Sequence, residues 1–219
     1  MGREFESLRG YQNFTYQINT HISTGMKDTS YYQSERFPFV GENFLGPEDC
    51  RAIIEYTEAN LNMFETHLDN EFWSKRVVNV HHVADPRIQK LMLDTNRAIA
   101  QIVQSLAVGN PEVYPDTIQI VRWYKGFELT PHADAENPGE DDHPFPWRDF
   151  ASVLYLNDDF VGGEIHWPNK GMEIKPKPGM LAIFPGTQEF LHGVREVTDG
   201  VRYTLPSFFS RDPTHRVVL

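Results

Sequence analysis

Ala151-Ser152-Val153-Leu154-Tyr155-Leu156 runs into Asn157-Asp158-Asp159, and past Phe160-Val161 come Gly162-Gly163 and then Glu164-Ile165-His166-Trp167. A β-branched and aromatic run stops at a turn-forming cluster and restarts after paired glycines. The same texture recurs on both sides, at 117–124, 180–184, 190–196 and 201–209. Gly, Pro and Asn-Asp clusters separate these runs. Many short strands at regular spacing predict a sandwich or jelly roll in the C-terminal half.

Upstream of Pro111 the texture differs. Residues 1–35 are polar and weakly periodic and read as an arm, and 37–40 reads as a short strand. Gly46-Pro47-Glu48-Asp49 opens a helix, because proline suits the first turn and acids suit the positive end of the helix dipole. Asp85-Pro86 opens a second. Its apolar stripe, Ile88, Leu91, Met92, Thr95, Ile99, Ile102, Val103 and Leu106, predicts a helix reaching about Ala107 and buried along one face. The fold class is therefore α+β, mainly β, with N-terminal helices packed on a β core.

Composition sets the outer bounds. The 219 residues carry 20 Lys+Arg against 31 Asp+Glu, a formal charge of −11. That balance lacks the basic face that phosphate-backbone binding needs, so no nucleic-acid partner is expected. One cysteine, Cys50, excludes an internal disulfide framework and a Cys-only zinc site. Charges interrupt every apolar stretch before it reaches spanning length, so no membrane partner is expected. The first residues lack a signal-peptide pattern, which predicts a soluble, cytoplasmic protein. Nothing in the sequence sets the oligomeric state.

Three features of the β half carry chemistry. In His132-Ala133-Asp134, residues two apart on an extended segment point to one face, so an imidazole and a carboxylate reach a common point. His192 is expected at the end of the strand that begins Phe190-Leu191. Arg202 follows ten residues later in Val201-Arg202-Tyr203-Thr204-Leu205. Two neutral imidazoles and one carboxylate suit a non-haem Fe(II) site with open positions. Such a centre stays positive and attracts an anionic chelator, whose far carboxylate Arg202 would hold as a bidentate pair.

Order and spacing extend this set. Gln119-Ile120-Val121-Arg122-Trp123-Tyr124, Pro131-His132-Ala133-Asp134, Leu154-Tyr155-Leu156-Asn157, Gly162-Gly163-Glu164, Lys177-Pro178-Gly179, Phe184-Pro185, His192 and Val197-Thr198-Asp199-Gly200-Val201-Arg202-Tyr203 follow in sequence. From Gln119 to Phe209 the chain resembles the prolyl-4-hydroxylase-like branch of the 2-oxoglutarate- and Fe(II)-dependent dioxygenases. The resemblance implies a double-stranded β-helix with supporting helices. It implies Fe(II) as cofactor and 2-oxoglutarate and O2 as co-substrates, with ascorbate supportive. The implied reaction forms succinate and CO2 while hydroxylating a C–H bond of a small-molecule or peptidyl substrate, prolyl included. His132, Asp134 and His192 fall on the iron ligands and Arg202 on the basic residue for the far carboxylate, where many prolyl 4-hydroxylases have Lys. Asp134 separates the chain from related halogenases, which lose the carboxylate. Trp123 or Tyr124 falls where a tyrosine helps hold the co-substrate. The implied organisation is an extension over 1–36 and one catalytic domain over 37–219, with helical support in 44–110 and the core in 111–212.

Two further expectations concern geometry. A hairpin joining His192 to Arg202 would put both on one face only if its connection is odd in length or bulged, pairing Arg202 with Val194. A regular two-residue turn at Asp199-Gly200 would put them on opposite faces. The loop after Asp134, with Glu136, Glu140, Asp141, Asp142 and Trp147, reads as a solvated loop or as a substrate lid favouring a cation. His166, His143 and the His81-His82 pair read as structural or exposed, and Trp167 and Phe184 as barrel packing. A catalytically inactive β-barrel binding module and a zinc hydrolase on the same ligands are the competing readings.

Overall fold

The computed structural model describes residues 29–65, 72–139 and 143–216. After a 3-10 turn at Ser34–Arg36 come β1 (Phe39–Gly41), α1 (Pro47–Ala59), β2 (Val77–Asn79) and α2 (Pro86–Leu106). The β half follows as β3 (Tyr114–Tyr124), β4 (Leu129–His132), β5 (Phe150–Tyr155), β6 (Val161–Gly162), β7 (Ile165–Trp167), β8 (Met172–Ile174), β9 (Leu181–Pro185), β10 (His192–Val194), β11 (Val197–Asp199) and β12 (Val201–Ser210).

Both helices open with proline in the first turn, and a side chain caps α2. Asp85 Oδ1 accepts from the amides of Arg87 and Ile88 at 2.8 and 3.3 Å, and Pro86 takes the first helical position, where an N–H would be orphaned anyway. The buried residues of α2 include Ile88, Met92, Ile99 and Val103, one stripe at helical spacing. None of the described helices is long and apolar enough to cross a membrane.

The strands form a six-stranded sheet in the order β1-β9-β5-β12-β3-β2 and a four-stranded sheet in the order β4-β10-β7-β8, while β11 pairs with β6. These are the stacked sheets of a double-stranded β-helix. Side-chain alternation divides the six-stranded sheet into two working faces. Ile118 and Ile120 of β3, with Tyr203, Leu205 and Phe209 of β12, join α2 in the main apolar core. Gln119, Val121 and Trp123, with Arg202, Thr204, Pro206 and Phe208, turn the other way and line a cavity of about 110 Å³ closed by the second sheet. The core also takes in Tyr31 and Tyr32, whose rings meet Phe150 and Phe190 edge-on at 5.2 and 5.7 Å. Trp167 packs edge-on against Phe184 at 5.3 Å inside the same core.

Two expectations are corrected. The run 190–196 is not one strand: Gln188–Phe190 forms a 3-10 turn that sinks Phe190 into the core, and His192 opens β10 instead of ending a strand. No hairpin joins His192 to Arg202 either. β10 pairs with β4 and β7, whereas β12 pairs with β3 and β5, and Arg202 stands opposite Trp123, not Val194. The chain crosses between sheets through β11, so the two side chains meet across the interior, from facing walls. The parity argument assumed that consecutive strands pair, and a jelly roll breaks that assumption.

Ile99 is fully buried at the centre of the α2 face. Ile99→Ala is expected to lower unfolding free energy by about 2–5 kcal/mol through lost burial and a residual cavity. A shift of the urea midpoint with unchanged slope measures it.

Candidate metal centre

β4 and β10 run antiparallel with His132 directly opposite His192, so a cross-strand pair brings the imidazoles together with ring centroids 4.5 Å apart. Asp134 lies two residues past His132, just beyond the end of β4, and completes the group. One ligand atom from each of the three residues lies within 4.8 Å of the others. Asp134 Oδ1 is 3.6 Å from His132 Nε2, and its Oδ2 is 3.7 Å from His192 Nε2.

The orientation of each ring is set from behind. His132 Nδ1 donates to the Thr130 carbonyl at 3.1 Å and His192 Nδ1 to that of Phe190 at 3.2 Å. That leaves both Nε2 lone pairs facing Asp134, the tautomer a metal ligand needs. Phe184 packs on His192 at 4.4 Å between centroids. Two neutral imidazole nitrogens and one carboxylate, converging from one side, form a donor set that fits Fe(II) with open positions.

The protonation states fit the same role. Burial alone would raise the Asp134 carboxyl, but its interactions with the His192 and His132 rings and with the Arg148 cation outweigh it and hold Asp134 below the usual carboxylate range. Burial pushes His192 down to about 4, with Asp134 opposing and His132 adding to the fall. At His132 burial also acts downward, but its contacts with Asp134 and Thr130 more than offset it and the pKa is raised.

The remaining predicted residues separate. Arg202 is buried, lines the cavity with the triad, and sits 5.6 Å from the Trp123 ring centroid and 5.1 Å from that of Tyr155. Its Nε has no hydrogen-bond partner in the structure. Trp123 lines the same cavity, but Tyr124 faces the opposite side of β3 beside Leu61, Phe64, Lys75 and Arg122. Adjacent strand residues cannot share a face, so Tyr124 does not line the cavity.

Of the loop residues, Glu136 and Trp147 are held by contacts outside the cavity. Glu136 Oε2 accepts from the Gln188 amide at 2.6 Å and its carbonyl accepts from Gln188 Nε2 at 2.8 Å, so Glu136 fastens the loop to the turn that leads into His192. Trp147 donates to Asp116 at 3.2 Å and stacks on His215 at 4.2 Å, and neither of these two loop residues lines the cavity. Glu140, Asp141 and Asp142 lie outside the described residues. His166 pairs with Gly193 on β10, away from the triad's convergence point, and His81 and His82 are exposed.

Sequence reading missed three cavity residues. Thr204 follows Arg202 by two and therefore shares its face, a signal that strand parity carried. His143 is buried in the wall, its Nδ1 accepting from the Phe145 amide at 3.1 Å. Arg148 is buried there too, and no periodicity in its loop announces it.

Metal binding needs neutral imidazoles, so protons compete through His132, whose pKa is raised, long before they reach His192. Mn(II) affinity, measured by titration calorimetry from about pH 8 to about pH 6, is expected to fall toward acid, approaching about tenfold per pH unit below the His132 pKa.

Residues 118–210 match the model of the 2OG-Fe(II) oxygenase superfamily. Prolyl 3-hydroxylase 2 of Homo sapiens is 38% identical over 77 residues, 33% of this chain and 11% of that protein. Prolyl 3-hydroxylase 1 of Gallus gallus is 36% identical over 76 residues, 32% of this chain and 10% of its own. The chain thus spans about a tenth of the length of these relatives. Among solved structures, a truncated viral collagen prolyl hydroxylase from Paramecium Bursaria Chlorella virus-1 superposes with a TM-score of 0.60 at 17% identity, covering 90% of this chain and 97% of that one. A Pseudomonas putida prolyl-4-hydroxylase gives 0.59 at 17% identity, covering 79% and 91%. In sequence over residues 118–210, and in fold over most of its length, the chain is therefore similar to the 2OG-Fe(II) oxygenase superfamily, on its prolyl-hydroxylase side.

Proposed function

We propose that this protein is an Fe(II)- and 2-oxoglutarate-dependent dioxygenase that hydroxylates a C–H bond of a small-molecule or peptidyl substrate, prolyl substrates included. The observation that carries the reading is the meeting of His132, Asp134 and His192 in one cavity with Arg202, a buried guanidinium whose Nε lacks a partner. A buried cation is costly unless something pairs with it. A carboxylate arriving from a bound molecule answers that cost. Residues 37–219 make up the catalytic unit in this reading, with helical support over 44–110 and the core over 111–212.

His132, Asp134 and His192 would hold the metal on one side. With 2-oxoglutarate and O2, bound Fe(II) supplies the oxidising chemistry that yields succinate, CO2 and the hydroxylated product. Arg202 binds the far carboxylate of the co-substrate through its fork, and the Thr204 hydroxyl adds a donor on the same face. Trp123 walls that end. Val121, Ile165, Phe184 and Val194 line the cavity with apolar surface and keep bulk water from the reacting atoms.

Gly163 sets the position of Arg202. A Cβ there would stand 2.8 Å from Arg202 Cδ and 3.0 Å from the Phe160 ring, and φ is +68°. Gly171, at φ +58°, has nothing within 4 Å. Both Gly→Ala changes strain the backbone, but only Gly163→Ala pushes on the guanidinium stem. Calorimetry with Mn(II) present is expected to show weaker 2-oxoglutarate binding in Gly163→Ala and unchanged binding in Gly171→Ala. Arg202→Gln, which removes a charge-assisted pair, is expected to weaken binding by about 10–100-fold.

Succinate release from 2-oxoglutarate with Fe(II) and ascorbate, with and without a panel of prolyl peptides and small metabolites, tests the activity. Turnover in the wild type that disappears in His132→Ala is the expected result. No succinate under any condition, from protein that binds Mn(II) and 2-oxoglutarate, favours the binding module.

A further inference from the structure

We propose that Arg148 is the anchor for a carboxylate on the substrate, which makes the preferred substrate a compact organic acid. The proposal rests on the oxygenase reading only for what happens to that acid afterwards. The anchor itself stands on Arg148.

Arg148 lines the cavity that holds the triad and Arg202, and it is 7% exposed. Phe145 and Phe208 cover its guanidinium, their ring centroids 3.9 and 3.6 Å from Cζ. Both rings cover it with apolar surface, so a polar partner has only its N–H groups to meet. Nε is buried and makes no hydrogen bond. Among the described residues its ion-pair partner is Asp116, 3.6 Å from Nε and also accepting from Trp147 Nε1. Asp116 does not line the cavity, so the pair leaves the cavity side of Arg148 open. Among the described residues none accepts a hydrogen bond from the two terminal nitrogens. Their paired donors match the two oxygens of a carboxylate.

Placement separates this group from the co-substrate subsite. Arg202 stacks beside Trp123 and Tyr155, whereas Arg148 stacks between Phe145 and Phe208. Arg148 is also the cation whose charge reaches both His132 and Asp134. The loop expectation pointed the other way, toward a cation. Of the loop acids in the described residues, Glu136 is engaged by Gln188 and turned away from the cavity.

The test is a titration of monocarboxylic acids, each paired with its primary amide, N-acetyl-L-proline and N-acetyl-L-prolinamide among them. Quenching of tryptophan fluorescence reads the binding, since Trp73 and Trp123 line the cavity. It is run on metal-free protein and on protein loaded with Mn(II) and 2-oxoglutarate. At least one acid is expected to bind about tenfold or more tightly than its amide in both forms, as a charge-assisted pair requires. Arg148→Gln is expected to reduce that preference to below about twofold, and Arg148→Lys to keep only part of it, because the fork is lost.

Four results would overturn the proposal. They are no acid preferred over its amide in the wild type, a preference that survives in folded Arg148→Gln, a preference seen only with metal bound, and a loss of 2-oxoglutarate affinity in Arg148→Gln equal to that in Arg202→Gln. The wild-type comparison stands even if the variants fail to fold. Failure of the oxygenase reading shows separately, as absent Mn(II)-dependent 2-oxoglutarate binding beside an intact acid preference.

Discussion

Keeping Asp134 ionised inside the protein is the constraint on which the site depends. A carboxylate taken out of water would normally hold its proton. Here His192, His132 and Arg148 outweigh the burial and keep it charged. Each needs its own support. The imidazoles are turned inward by the carbonyls of Thr130 and Phe190, and Arg148 is clamped between Phe145 and Phe208. The Ala135 amide donates to the Gly186 carbonyl at 2.9 Å, and Glu136 holds Gln188. These bonds tie the segment after Asp134 to the segment before His192. The ligand that comes from a distant part of the chain is therefore fixed to the other two by backbone as well as by β4–β10 pairing.

The two faces of the six-stranded sheet make this affordable. One strand serves two solvents: in β12, Leu205 and Phe209 bury against the helices while Arg202 and Thr204 face the cavity. The stability of the fold comes chiefly from the helix face, where apolar area is continuous. The cavity face can then carry buried polar groups with unmet hydrogen bonds without unfolding the domain, since stability and function draw on different side chains of the same strands.

Legibility in the sequence follows the range of the interaction. The start of α2 was readable because Asp85 and Pro86 act on amides two and three residues away. The triad was readable because His132 and Asp134 are two apart and His192 sits at a family spacing. What failed was pairing at long range. The runs holding His192 and Arg202 looked like arms of a hairpin, yet β10 joins β4 and β7 while β12 joins β3 and β5. Alternation gives the face of a residue relative to its own strand and says nothing about which sheet that strand enters. The same limit explains Tyr124, excluded by parity only once the face of β3 was known. Short strands such as β2 and β8 offered too few residues for periodicity.

Net charge is the other property that local structure overrode. A charge of −11 and an acidic loop point toward cationic ligands if every carboxylate counts equally. They do not count equally. An exposed acid acts through water and salt and fades within about 10 Å. Arg202 and Arg148 act inside a cavity with apolar walls, where the same charge is felt far more strongly. Glu136 is spent on holding Gln188, and the Asp134 charge is balanced by its neighbours. What a ligand meets is the residue of that local balance, in which Arg202 and Arg148 are the cations lining the cavity. The ligand that an acidic protein selects at such a site is an anion, because the low-dielectric interior decides it and the surface does not.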